Sequence, residues 1–206
     1  MGTEEYKENP FTANTKEDQT LLQIFLSGDN NGFSGIYKKY VNELFAYGMG
    51  LGFDKEIVKD AIQDVFYKFY ESKKHLNNVN NLKYYLFRML KNLLLDIYRS
   101  KIYVSDITTS DLSFSIKTTV LDDMITEEER FALQTRIDKL LETLTSRQRE
   151  AIYLRFIQEM EYEEIGELLN MTPQACRKLV SRAIKRMREE KIPLILHLTF
   201  IPFSGF

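Results

Sequence analysis

Along nearly the whole chain, apolar residues recur at intervals of three and four, the period of helices that bury one face. Leu21, Leu22, Phe25 and Leu26 predict a short first helix. Phe33, Ile36, Tyr37, Tyr40, Leu44, Phe45 and Tyr47 predict a second, of about five turns, closed by Gly48, Gly50 and Gly52. Asp54 is placed to cap a third, whose inner face is Ile57, Val58, Ala61, Ile62, Val65, Phe66 and Phe69. The stretch from Ser72 to Leu82 is polar and rich in Asn, and reads as a loop. A helix from about Leu82 to Arg99 follows, with Tyr85, Leu86, Met89, Leu90, Leu93 and Ile97 apolar. Residues 103–122 lose the period and fill with Ser, Thr and Asp, as a linker does. Helical period resumes near Asp123 and runs to about Lys191. No repeat and no hairpin signal interrupts it. The expected fold is all-α: two small helical domains joined by a flexible linker, the second a helix-turn-helix. The expected division is an N-terminal extension 1–20, a first domain 21–102, a linker 103–122, a second domain 123–191 and an apolar tail 192–206.

The second domain carries the sharpest local signals. Thr145 or Ser146 is placed to cap a helix bearing Ala151, Ile152, Leu154, Arg155 and Phe156. After a break at Gln158–Met160 comes a two-turn helix, Tyr162–Leu169. Asn170 stands at the C′ position, which wants a residue tolerant of positive φ. Thr172 then caps and Pro173 fills the first helical position, where its missing N–H costs nothing. Short helix, tight turn and long basic helix form a helix-turn-helix whose last member reads DNA. In that last helix Cys176, Val180, Ala183 and Met187 recur on one face and point inward. Gln174, Arg177, Lys178, Ser181, Arg182 and Lys185 point outward. Arg and Lys in the first turns suit guanine edges or phosphates, and Gln suits adenine. The plainer alternative is a helical-bundle face with solvated basic residues.

Charge adds to this picture through its distribution. The net charge is only −2 over 206 residues, so the whole chain is not a polycation. Locally, Lys83, Arg88, Lys91, Arg99 and Lys101 stand against a single acid, Asp96. Between Arg177 and Lys191 only Glu189 and Glu190 offset the basic side chains, and residues 103–130 between the two basic segments are acidic. Two basic helices apart suggest two phosphate-facing surfaces. One cysteine, Cys176, excludes a disulfide framework, and His75 and His197 make no metal pair by spacing. Asp60 and Asp64 share a helix face but have no third ligand or histidine beside them, which argues against acid–base chemistry. No cofactor and no small-molecule substrate are expected. No apolar run reaches the roughly 18 residues of a membrane span, and the acidic segment Met1–Pro10 lacks the apolar stretch of a signal peptide. A cytoplasmic location is expected.

Two segments together resemble a bacterial RNA polymerase sigma factor of the extracytoplasmic-function type. The run from Leu144 to Glu189 resembles the domain that reads the −35 promoter element. Gly166 stands at that family's small residue, and Ala175-Cys176-Arg177-Lys178-Leu179 replaces its Thr-Val-Lys-Ser-Arg run. In the first domain, Asp60-Ala61-Ile62-Gln63-Asp64-Val65-Phe66 resembles the family's signature helix, with Lys59 at its leading Glu and Tyr70 at its closing Trp. The helix from Tyr85 to Arg99 resembles the one that engages the −10 element, with Tyr85 in place of Trp.

The resemblance implies a specificity subunit and no enzyme. Asp60, Gln63, Asp64 and Tyr67 would bind core RNA polymerase at its β′ clamp. Asn77, Asn78, Asn80, Lys83, Tyr84, Arg88, Lys91, Asn92 and Arg99 would bind the −10 strand, with Tyr84, Tyr85, Phe87 and Tyr98 as the available aromatics. Thr172, Gln174, Arg177, Lys178, Ser181, Arg182 and Lys185 would bind the −35 duplex. An anti-sigma factor is a further expected partner, and the apolar tail either packs on a domain or meets such a partner. The competing readings are a stand-alone helix-turn-helix regulator that needs no polymerase, and a helical adaptor that binds no DNA.

Overall fold

The computed structural model describes residues 10–102, 113–116 and 127–189, without the side chains of residues 10–15, 77, 78, 101, 102, 127, 129, 130 and 133. Among them are eight α-helices and no strand. The first domain holds α1 (Pro10–Leu26), α2 (Asn30–Gly50), α3 (Lys55–Glu71) and α4 (Leu82–Ile102). The second holds α5 (Glu127–Glu142), α6 (Ser146–Ile152), α7 (Tyr162–Leu168) and α8 (Pro173–Glu189). Most of the expected linker and the whole tail 192–206 lie outside the described residues.

The first helix is longer than its apolar spacing announces. It starts at Pro10 and passes through position 20, where the extension was expected to end. Among the described side chains, Glu17 and Asp18 tie this part to α2 by polar contacts. Lys39 of α2 reaches Glu17 at 2.6 Å and Asp18 at 2.7 Å. The Tyr40 hydroxyl donates to the buried Asp18 carboxylate at 2.5 Å. Where α1 crosses α2, a Cβ on Gly32 would sit 2.3 Å from the Phe25 nitrogen, so only glycine permits the approach. Asp29 caps α2, accepting the Asn31 N–H at 2.8 Å. The helix then continues through Gly48 and Gly50, and the chain turns at Gly52, whose φ is 89°.

The α3 helix buries Val58, Ala61, Ile62, Val65, Phe66 and Phe69, as the spacing predicts. The expected loop after it is instead a 3₁₀ helix, Ser72–Asn78. Its one apolar side chain, Leu76, is driven into the core and winds the polar segment down. In α4, Leu82, Leu86, Phe87, Leu90 and Leu94 form the buried stripe.

In the second domain Thr145 and Gln148 form a reciprocal capping box at the start of α6. The α6 helix runs on as a π-helical turn, Tyr153–Ile157, that the apolar period does not announce. Such turns re-aim side chains late in a helix, and here Tyr153 and Leu154 are buried.

The two domains share a core. Tyr47 of α2 meets Phe87 of α4 at 5.0 Å, Phe114 at 5.9 Å and Tyr153 at 6.1 Å between ring centroids. Phe114 belongs to the expected linker, yet it is buried. Ser115 N–H donates to Gly50 O at 2.8 Å, and Arg149 of the second domain donates to Phe114 O at 2.7 Å. Residues 113–116 therefore form a strap gripped from both sides.

Candidate nucleic-acid and protein interfaces

The turn between α7 and α8 is built from a few enforced positions. Asn170 adopts φ 51°. Its N–H bonds Glu167 O and that of Met171 bonds Gly166 O, the paired bonds of a Schellman ending. A Cβ on Gly166 would lie 2.8 Å from Met171 O, so a side chain there would push the turn open. Thr172 Oγ1 accepts the Ala175 N–H at 3.2 Å, and Pro173 starts α8. This geometry fixes the direction of α8.

In α8, Cys176, Val180 and Ala183 are fully buried, and Met187 is half-buried. Burial pushes the Cys176 thiol up, so it stays protonated as a small core group. Thr172, Gln174, Arg177, Lys178, Ser181, Arg182 and Lys185 are all exposed. Arg177 pairs with Glu163 of α7 at 3.1 Å and lies over the Tyr162 ring. That contact pre-orients one guanidinium at the start of the outer face. Lys185 has only a long contact to Glu189, 3.8 Å.

On α3, Asp60, Gln63, Asp64 and Tyr67 are exposed on the face opposite the apolar one. Tyr67 is 63% exposed, and its hydroxyl donates to Glu71 at 2.6 Å, which raises its pKa. With Tyr37 and Tyr70, also exposed, it makes a surface of aromatics among carboxylates. Aromatic anchors with a polar rim are the composition of protein interfaces.

The residues expected at the −10 strand divide into two groups. Asn92 and Arg99 are exposed, with Arg99 holding Asp96 at 3.0 Å, and Asn80 is exposed. The side chains of Asn77 and Asn78 lie outside the described residues. The others face the second domain. Lys83 is buried, paired to Glu43 at 3.1 Å and directed at Gln158 O. Lys91 is buried against Glu150 at 2.7 Å. Arg88 and the Tyr84 hydroxyl both bond Glu167 of α7, Arg88 at 3.1 Å. Burial and the Glu167 hydrogen bond, partly offset by Arg88, push the Tyr84 hydroxyl up to about 12. Phe87 is fully buried and cannot stack on a base, a correction to the aromatic set. Tyr85 and Tyr98 are half-buried, against Phe69 and Phe53. Tyr84 is half-buried too, with its hydroxyl turned to Glu167.

Models of conserved families match both halves: Sigma-70 region 2 over residues 36–101 and Sigma-70, region 4 over residues 134–187. These spans take in more than half of the chain. The chain belongs to the sigma-70 family, as an extracytoplasmic-function sigma factor. It is similar to the ECF RNA polymerase sigma factor SigM of Bacillus subtilis (strain 168), 23% identical over 154 residues, covering 74% of this chain and 91% of that one. It is also similar to the RNA polymerase sigma factor SigZ of the same strain, 25% identical over 136 residues, 66% of this chain and 73% of that one. Among solved structures, the sigma factor RpoE in complex with the anti-sigma factor NepR from Bartonella quintana shares the fold, with TM-score 0.54, 23% identity and 78% and 98% of the two chains covered. CnrH in complex with the cytosolic domain of CnrY gives TM-score 0.54 at 20% identity over 85% and 97%.

In this sigma factor the −35 candidates share one continuous exposed helix face, and the polymerase candidates share another. The residues that sequence reasoning missed are Tyr47, Phe114, Glu150, Glu164 and Glu167, all at the junction of the domains. Phe114, a lone aromatic in a polar stretch, was a usable signal. Nothing in local spacing marks Glu150 as the partner of Lys91. No described helix is long and apolar enough to cross a membrane.

Proposed function

We propose that this alternative sigma factor directs transcription initiation by three separate contacts. The outer face of α3, through Asp60, Gln63, Asp64 and Tyr67, holds core RNA polymerase at the β′ clamp. The α8 face, with Thr172, Gln174, Arg177, Lys178, Ser181, Arg182 and Lys185, reads the −35 element as duplex. The α4 helix and the preceding 3₁₀ segment hold the −10 strand. The domain division that goes with this is 21–102 for polymerase and −10, and 123–191 for −35. An anti-sigma factor is the expected regulator, in the cytoplasm, and the polymerase supplies all of the chemistry.

The observation that carries this reading is the α8 geometry: a capped reading helix, buried on Cys176, Val180 and Ala183, presenting polar and basic side chains along its free side. Unstacking a base costs a few kcal/mol, and stacking it on an aromatic returns about 1–3 kcal/mol. Tyr84 supplies the ring, and the exposed Arg88 and Arg99 supply charge for phosphates. A stand-alone regulator explains α5–α8 and leaves the α3 face without a use. Transcription in vitro from a promoter of the source genome, with and without core polymerase, separates the two. Polymerase-dependent initiation supports the sigma reading, and tight specific DNA binding by the chain alone opposes it.

A further inference from the structure

A single ring at the front of the helix-turn-helix holds two guanidinium groups. Tyr162, the first residue of α7, has Arg155 at 4.7 Å and Arg177 at 5.3 Å from its ring centroid. Arg155 is carried by the π-helical turn. Its Nη1 donates to the Met160 carbonyl at 2.7 Å and meets Glu161 at 3.4 Å, which ties it to the loop entering α7. With its side chain only 20% exposed, Arg155 steadies the ring from the protein side. Arg177 of α8 is 55% exposed, and Glu163, the next residue of α7, accepts from its Nη2 at 3.1 Å. An ion pair this exposed adds little to stability. Its effect is on direction: an arginine already oriented loses less freedom when it binds. Glu163 engages one of the five N–H donors of the guanidinium, which leaves enough for a bidentate contact to guanine O6 and N7.

We propose that Tyr162 and Glu163 are positioning residues for promoter choice, holding the Arg177 guanidinium toward a base edge of the −35 element. The proposal rests on the reading of α8 as the −35 face. Neither residue touches a base; both act through Arg177. Without Glu163 the guanidinium is free to turn to a phosphate, where it adds affinity and carries no sequence information. An acid beside a phosphate-facing surface otherwise only weakens binding. Glu163 at the front of the reading helix is accounted for by the direction it gives Arg177, not by strength of binding.

The test is a double-mutant cycle on the full chain bound to core polymerase, read as affinity for each member of a promoter library randomised at −35. Glu163→Gln keeps the size of the side chain and removes its charge. Glu142→Gln, an exposed acid at the end of α5, is the control for net charge. In Glu163→Gln the preference for the best base at the position that Arg177 reads is expected to fall about fivefold, the lower end of what a bidentate base contact discriminates. The other −35 positions and the thermal midpoint are expected to stay unchanged, and Glu142→Gln to keep every preference. Tyr162→Phe, which keeps the ring, is expected to keep the preference; Tyr162→Leu is expected to lower it as Glu163→Gln does. In an Arg177→Ala background Glu163→Gln is expected to change choice no further, because the two act as one unit. An equal change for all library members in Glu163→Gln overturns the proposal, since the acid then acts by charge alone. Additive losses of choice in the Glu163→Gln/Arg177→Ala double variant overturn it too. If Arg177→Ala leaves choice intact at every position, Arg177 reads no base and the positioning role falls. If the wild-type holoenzyme shows no choice at −35 at all, the reading of α8 fails with it.

Discussion

Arg177 and Lys178 sit in the first turns of α8, on its exposed side, while Lys185 lies two turns further along. Such helices meet base edges with their N-terminal residues and the backbone further on. Replacing Arg177 or Lys178 by Ala is therefore expected to cost about 1–3 kcal/mol and relax choice at particular −35 positions. Lys185→Ala is expected to weaken all sequences alike and to lower the salt slope by roughly one phosphate contact. Holoenzyme affinity over a randomised −35 library at two salt concentrations checks both; a uniform loss for Arg177 and Lys178 would make them phosphate contacts only. Glu164 answers to pH. Burial, opposed by the Glu161 N–H and Asn81, pushes its carboxyl up. A carboxyl whose folded value is raised costs stability while ionised, and the cost lifts as pH falls through the raised value toward the ordinary one. Glu164→Gln is thus expected to raise the urea midpoint at pH 7, with the two proteins converging toward about pH 4, the ordinary carboxylate range. A difference that does not shrink on acidification would contradict this.

The α3 helix shows how far a single element was legible. Its apolar face and its exposed Asp60, Gln63, Asp64 and Tyr67 follow from period alone, because one face is core and the other water. The α7–α8 turn was equally legible, since Asn170, Thr172 and Pro173 each satisfy a local backbone demand. The first half of α1 was not, because Glu17 and Asp18 are held by Lys39 and Tyr40 across the fold and leave no apolar period. The 3₁₀ helix escaped notice for the same reason: one buried side chain, Leu76, sets it. At this scale Asp64→Lys is expected to weaken binding to core polymerase severalfold, with unchanged helical circular dichroism, since Asp64 is exposed on the face opposite the buried one. Undiminished co-purification with core would remove α3 as the clamp contact.

As a whole molecule, the chain is two helical domains locked through a strap that the sequence presents as linker. The contacts that lock it pair residues far apart in the chain, such as Tyr47 with Glu150 and Tyr84 with Glu167. Local spacing carries no record of such pairs, which is why Lys83 and Lys91 read as free cations and are found buried. Limited proteolysis in the Ser- and Thr-rich segments flanking 113–116 is expected to leave two fragments that still co-elute at low salt. Fragments that separate at once would show that the shared core contributes little. The central claim, that this chain confers promoter choice on polymerase, is tested most directly by transcription in vitro from a promoter of the source genome. Specific initiation is expected only when core polymerase and the chain are both present, with open-complex formation around −10. Tight, specific promoter binding by the chain alone, with no polymerase-dependent initiation, would contradict it.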